Sequence, residues 1–186
     1  VAGVVSERDL FALQRTSLHG IIDAIGVAED MDALSRSAAE IRKLASNMLA
    51  QGVGAEPLTQ MIVTLNDRLT RRVLALEAGR HGLSQTAFCW IALGSEGRLE
   101  QTLATDQDNG IIFADSAAPD ALAGVRDRLL TFAAAVNQAL DACGYPLCKG
   151  GIMAGNASWC LSLGEWREKF EWGFRASAAR SARRRL

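Results

Sequence analysis

Gly94-Ser95-Glu96-Gly97-Arg98-Leu99-Glu100, followed by Thr105-Asp106-Gln107-Asp108-Asn109-Gly110-Ile111-Ile112-Phe113, is the stretch on which the fold turns. The apolar run Ala87 to Leu93 (AFCWIAL) leads into it and is too short for a typical helix, so it reads as a strand. A Gly-Ser pair directly after a strand lets the backbone approach a ligand closely. It also presents N–H groups at a helix N-terminus, which suits phosphate oxygens. Gly110 to Phe113 (GIIF) reads as a second strand, entered by Asp106 and Asp108 at i and i+2. That spacing points both carboxylates to one face. Two adjacent carboxylates repel, and unless a cation lies between them one holds its proton. Hard oxygen donors at this spacing suit Mg²⁺, which takes one or two carboxylates together with substrate phosphates and water.

Working outward, Pro119 to Cys143 reads as a helix with Leu122, Val125, Leu129, Phe132, Val136 and Leu140 on one face. Leu147 to Met153 is the expected third strand, with Gly150-Gly151 marking a bulge or a close backbone approach. A closing helix is expected over Glu165 to Arg185, with Trp166 and Trp172 on the core; Trp159 is a candidate for base stacking. On the N-terminal side, Met31, Leu34, Ala38, Ile41, Ala45 and Met48 recur at steps of three and four, and Gly52 stops the run. Leu58, Met61, Leu65, Leu69, Val73 and Leu76 form a second stripe from Glu56-Pro57 to Gly79. The two helices make an antiparallel hairpin whose stripes read as core and interface only. The whole is expected to be α+β, a small mixed sheet with helices preceded by a helical hairpin or bundle.

The 186 residues suffice for one large domain or two small ones, and 49% apolar with 22% charged residues marks a globular chain. Net charge is −1, which gives no global electrostatic case for a nucleic-acid binder. The average conceals a pattern: residues 81–174 carry 11 acidic and 6 basic groups, whereas residues 175–186 carry 5 basic and none acidic. The Arg180 to Arg185 run reads as a solvated helix end or the start of a further domain. No stretch approaches the ~18 apolar residues of a membrane span, and no signal peptide is visible. Cys89, Cys143, Cys148 and Cys160 are scattered, and His19 and His81 are the only histidines, so zinc is not expected. The cysteines read as buried reduced thiols of a cytoplasmic protein.

LGSEGRLEQTLATDQDNGIIF (residues 93–113) and CKGGIMAGNASWC (residues 148–160) resemble the nucleotidyltransferase superfamily typified by DNA polymerase β. That superfamily's signature is an apolar strand, Gly-Ser or Gly-Gly, then D-x-D on the next strand. More narrowly, the two motifs are similar to a nucleotidyltransferase family of unknown function related to protein-PII uridylyltransferase, whose members are commonly fused to CBS and cyclic-nucleotide-binding domains. The resemblance covers roughly residues 20–175. It implies that Gly94 and Ser95 hold a nucleoside triphosphate and that Asp106 and Asp108 bind Mg²⁺ (or Mn²⁺) and are catalytic. The reaction would move a nucleoside monophosphate to an acceptor hydroxyl, with a regulatory protein as one class of acceptor. Lys149, Asn156 and Arg98 match the motifs without an assigned role; Arg98 and Lys149 are expected to neutralise phosphate charge.

The superfamily's third carboxylate sits on a later strand, but Leu147 to Met153 contains no acid. Glu165 in SLGEW either folds back into the site or caps the closing helix. Gly3 to Leu10 (GVVSERDL) looks like the closing strand and helix start of a CBS domain, with Ser6 and Asp9 matching its ligand contacts; the simpler reading is a helix N-cap and first-turn acid. The expected organisation is therefore a CBS remnant at 1–15, a helical segment at 16–82, a nucleotidyltransferase core at 83–174 and a basic helix end at 175–186. Such a chain is an excerpt of a larger signalling protein, with an NTP as substrate. The alternatives are a non-catalytic nucleotide sensor coupled to CBS domains, and a scaffold that homodimerises through residues 30–80.

Overall fold

A computed structural model describes residues 7–83, 85–103 and 105–171, with side chains from residue 17 onward. The readings of Ser6, of Asp9's side chain, of Trp172 and of the basic tail at 175–186 lie outside the described residues. Three helices come first: α1 (Glu7–Val27), α2 (Met31–Ala50) and α3 (Ala55–Arg80). Asp30 caps α2, its carboxylate accepting from the Ala33 N–H at 2.7 Å, as expected for an acid just before an apolar repeat. The expected stripe of α2 is buried at Leu34, Ala38, Ile41 and Ala45, and that of α3 at Leu58, Leu65, Leu69 and Val73.

The sheet has three strands, β1 (Phe88–Ala92), β2 (Asn109–Phe113) and β3 (Cys160–Ser162), in the order β1-β2-β3. β1 runs antiparallel to β2, pairing Phe88 with Phe113 and Ala92 with Asn109. β3 runs parallel to β2, pairing Ile111 with Cys160 and Phe113 with Ser162. One turn of helix, α4 (Gly94–Gly97), follows β1, and the long helix α5 (Pro119–Ala142) follows β2. The expected mixed sheet of an α+β fold is thus present, preceded by helices.

One continuous core joins the parts. Leu129, Phe132, Ala133 and Val136 of α5 fill the space between Ile111 of β2 and Leu65, Leu69 and Val73 of α3, all essentially without exposure. By area bookkeeping, each of these side chains other than Ala133 stabilises by roughly 1.5–3 kcal/mol relative to leaving it in water. The helical segment is therefore packed on the same core that supports the sheet, and the ends of β2 are fixed relative to α3.

The third strand is not where the sequence put it. Residues 147–153 form turns and irregular chain, and β3 lies at Cys160–Ser162. Gly151 adopts φ +68°, which breaks a regular strand there. The segment still runs beside the entrance of β2, since Gln107 N–H donates to Pro146 O at 2.9 Å and Asn109 N–H to Ile152 O at 3.1 Å. Buried amides hold it in place of a regular ladder.

Candidate functional site

The site begins with the alternation of Asp106-Gln107-Asp108-Asn109. These residues precede or open β2, and Asp106 is exposed, Gln107 buried, Asp108 half-buried and Asn109 buried. The period of two places both aspartates outward and both amides inward, as the D-x-D spacing predicts, although regular pairing starts only at Asn109. The inward amides form a closed network. Asn137 of α5 donates through Nδ2 to Gln107 Oε1 (2.8 Å) and Asn109 Oδ1 (3.0 Å). Gln107 Nε2 donates to the carbonyls of Asn137 and Tyr145. Ala154 N–H donates to Asn109 Oδ1, and Gly155 N–H to Asn137 Oδ1. Each buried amide is partnered, so the network holds the aspartates and the 146–155 loop in one register at no desolvation deficit.

Asp108 meets the Gly-Ser turn directly. Gly94 has φ +52°, and a Cβ there would lie 2.0 Å from Asp108 Oδ2, so glycine is required on conformational and steric grounds alike. Leu93 N–H donates to Asp108 O at 2.8 Å, tying the two motifs through the backbone. The Cys148 thiol donates to Asp108 Oδ1 at 3.2 Å, which brings the loop carrying Lys149 to the same carboxylate. Lys149 itself is exposed on the turn that follows. Ser95 is half-buried in α4, its carbonyl accepting from Glu100 N–H. Arg98 points elsewhere: its Nε donates to Glu100 Oε2 at 2.8 Å on the open surface.

Two further acids join the cluster. Glu96 of α4 is pushed up from the ordinary 4.5 to about 7, first by burial and then by the charges of Asp67 and Asp108. Glu96 and Asp106 also line one small cavity of about 10 Å³, walled by Asn66, Gln101, Gln107 and Tyr145. Asn66 accepts from Tyr145 OH at 2.7 Å and donates to Gln101 Oε1, so α3 is part of the site's frame as well as core. The sequence reading of α3 as core and interface alone thus missed Asn66 and Asp67; the signal available was two polar residues interrupting the apolar stripe. Asn137 was detectable the same way, as an amide between Val136 and Leu140 on the buried face of α5.

Glu165 does not reach this site. It accepts from Ser162 N–H at 2.8 Å and from Arg126 Nη2 at 2.6 Å, and Glu165 N–H points to Ser162 Oγ at 3.4 Å. Ser162-Leu163-Gly164-Glu165 is therefore a capping box at the start of the helix over 163–171. Because Ser162 pairs with Phe113, the box lies at the far end of β2 from Asp108. Trp159 likewise has its face covered, with Lys169 Nζ 4.1 Å from the ring centroid. Trp166 is buried and donates to Ile111 O at 2.8 Å, as expected of a core tryptophan. Of the cysteines, Cys143 and Cys160 are buried, Cys148 is half-buried and Cys89 is exposed; all are free, which corrects the expectation of four buried thiols.

Among the described residues, no three His, Cys, Asp or Glu side chains stand so as to enclose a metal. Asp106 and Asp108 are hard oxygen donors on one face, one of them open to solvent, and Glu96 is raised by its burial and, secondarily, by the charges of Asp67 and Asp108. That set fits Mg²⁺ in the form it usually takes, with one or two carboxylates and its other positions left to water and substrate phosphate.

An α+β domain with a mixed three-stranded sheet, bearing a glycine turn against an aspartate pair at one end of its central strand, is the class these features define. A family model described as "Putative nucleotidyltransferase DUF294" matches residues 39–179, and the chain belongs to that family. No curated relative and no solved structure matches the chain. Among the described residues no helix is long and apolar enough to cross a membrane.

Proposed function

We propose that residues 83–174 form a polymerase-β-like core that transfers a nucleoside monophosphate from an NTP to an acceptor hydroxyl. The observation that carries this reading is the seating of Asp108 against Gly94, which joins the phosphate-type turn to the aspartate pair within one contact. In this reading Asp106 and Asp108 hold Mg²⁺ or Mn²⁺, and Gly94 and Ser95 receive the triphosphate through the α4 turn. Bound there, the metal would supply Lewis-acid polarisation of the phosphoryl group. The chain's own residues do the positioning: the Gln107–Asn137–Asn109 network fixes the direction of both aspartates, and the Cys148 thiol orients Asp108 Oδ1. In this reading Lys149, exposed on the neighbouring turn, neutralises substrate phosphate. Arg98, in an exposed pair with Glu100, would exchange that partner for substrate phosphate. The acceptor is a hydroxyl on a regulatory protein, as in protein-PII uridylylation, and CBS domains are the partners within a longer signalling protein.

The test is Mg²⁺-dependent pyrophosphate release from ATP, UTP, GTP and CTP, alongside calorimetric binding of each. Asp108→Asn and Asp106→Ala should abolish turnover with unchanged circular dichroism; turnover surviving either change sinks the assignment. A second reading, a nucleotide sensor without transfer, is favoured by one observation: β3 brings no acid to the site, since Glu165 is committed to its capping box. Mg²⁺-dependent NTP binding that is lost in both variants, with no pyrophosphate formed, selects the sensor.

A further inference from the structure

A cleft of about 560 Å³ lies between α1 and α3, with Leu99 on one side. None of the aspartate pair lines it. Its volume falls within the range of small-molecule sites. Arg68, Arg71 and Arg72 of α3 line it against a single carboxylate, that of Asp67. Arg72 Nε donates to Ala28 O at 2.8 Å, which fixes that guanidinium and ties α3 to the segment following α1. Arg68 and Arg71 are exposed, and among the described residues neither is ion-paired. Asp67 stands four residues before Arg71, the spacing of a helical ion pair, yet no such pair forms.

The remaining walls are mostly apolar, with Gln60 and Thr64 of α3 as the uncharged polar exceptions. Ile25 of α1 is buried at the base. Leu99 hangs over the opening at 57% exposure with φ +59°, the only non-glycine residue with positive φ among those described. A bulky residue in the left-handed region costs about 1–2 kcal/mol. An apolar side chain held exposed beside two unpaired guanidinium groups makes an amphipathic mouth. Guanidinium forks match phosphate oxygens bidentately, and the aliphatic walls suit a ring or chain attached to that phosphate.

We infer that this cleft binds an organic phosphate, its phosphate on Arg68 and Arg71 and its organic part between Ile25 and Leu99. The site uses no metal, since the guanidinium groups supply the charge, and it does not rest on the transfer reading. It does share a wall with the candidate site, because Asp67 lines the cleft and also acts on Glu96.

The probes are ATP and inorganic pyrophosphate, titrated calorimetrically into the whole chain in EDTA, where the aspartate pair has no cation to offer. Both should bind, ATP more tightly. Arg68→Ala with Arg71→Ala should weaken both by at least about tenfold, with the melting temperature unchanged because both side chains are exposed. Leu99→Ser should weaken ATP and leave pyrophosphate alone. Asp106→Ala with Asp108→Ala should leave both affinities intact, which separates failure of the cleft from failure of the transfer reading. No binding of either probe in EDTA overturns the inference. So do unchanged affinity in the arginine variant, equal affinity of the two probes, and loss of binding in the aspartate variant.

Discussion

The two ends of β2 both carry acids and treat them in opposite ways. At the Phe113 end, Asp115 accepts from Ser162 Oγ at 2.5 Å and from Gly164 N–H at 2.9 Å, which holds its carboxyl below the ordinary 3.8. Glu165 beside it is partly buried, which alone would raise it, but the Ser162 N–H and the Arg126 guanidinium more than offset that and hold it low. At the Asn109 end, among the described residues, no backbone N–H or guanidinium plays that part: Asp108 has the weak Cys148 thiol as donor, and Glu96 is pushed up to about 7 by burial and then by the charges of Asp67 and Asp108. One end has spent its acids on closing a helix start. The other keeps negative charge that only a proton or a cation relieves. Carboxylate count therefore says little about where chemistry occurs; donor saturation separates the two clusters.

The comparison breaks most severely at Gly94. Gly94→Ala places a methyl group on the Asp108 carboxylate and demands φ +52° of an alanine. Nucleotide-dependent turnover should fall at least about 100-fold, the scale of an ångström-sized misplacement. Stability should drop by about 1–2 kcal/mol, as read by thermal melting. Wild-type turnover in this variant would mean that Asp108 does not act from its observed position. A smaller effect is expected at Glu96. Its folded pKa lies above the ordinary 4.5, so the native state holds the proton longer than the unfolded chain. Stability is then lost as pH rises from about 4.5 through about 7, the opposite of the usual carboxylate. Glu96→Gln should match the wild type near pH 4 and exceed it by about 2 kcal/mol at pH 8. Millimolar Mg²⁺ should narrow that gap if the neighbouring aspartates take up the cation. A gap independent of pH would show that the acids at this end are already neutralised.

Much of this architecture was legible because short-range physics decides it. The α2 and α3 stripes, Asp30 as a cap, Pro119 at the start of α5 and the outward pairing of Asp106 with Asp108 all follow from periods of 3.6 and 2. What escaped was tertiary. Residues 147–153 carry strand-like apolar residues, yet Gln107, Asn109 and Asn137 hold the chain on either side of them, at Tyr145, Ala154 and Gly155, and the segment between is an irregular loop whose partners are not local to it. Asp67 was invisible as a site residue because 29 positions separate it from Glu96. Of the two readings of Glu165 the structure takes the local one, the helix cap, because Ser162 three residues away is the nearer partner; Arg98 likewise pairs with its neighbour Glu100 on the open surface.

The finest test of the comparison is at the saturated end. Asp115→Asn keeps an oxygen that can accept from Ser162 and Gly164 and removes only the charge. Because Asp115 is exposed and its main partners are neutral donors, with Arg167 a lesser influence, the loss should be a small fall in melting temperature near pH 7. The sign follows from its depressed pKa: the stabilisation is present above the ordinary 3.8 and disappears as pH falls through the lower folded value. Melting curves of variant and wild type should therefore converge at acid pH, whereas those of Glu96→Gln diverge toward alkaline pH. Turnover should not change, since Gly164, the Ser162 hydroxyl and Asp115 all lie beyond the Phe113 end of β2. A loss of turnover in Asp115→Asn would mean that the two ends are coupled through the strand. The division between a structural and a chemical acid cluster would then fail.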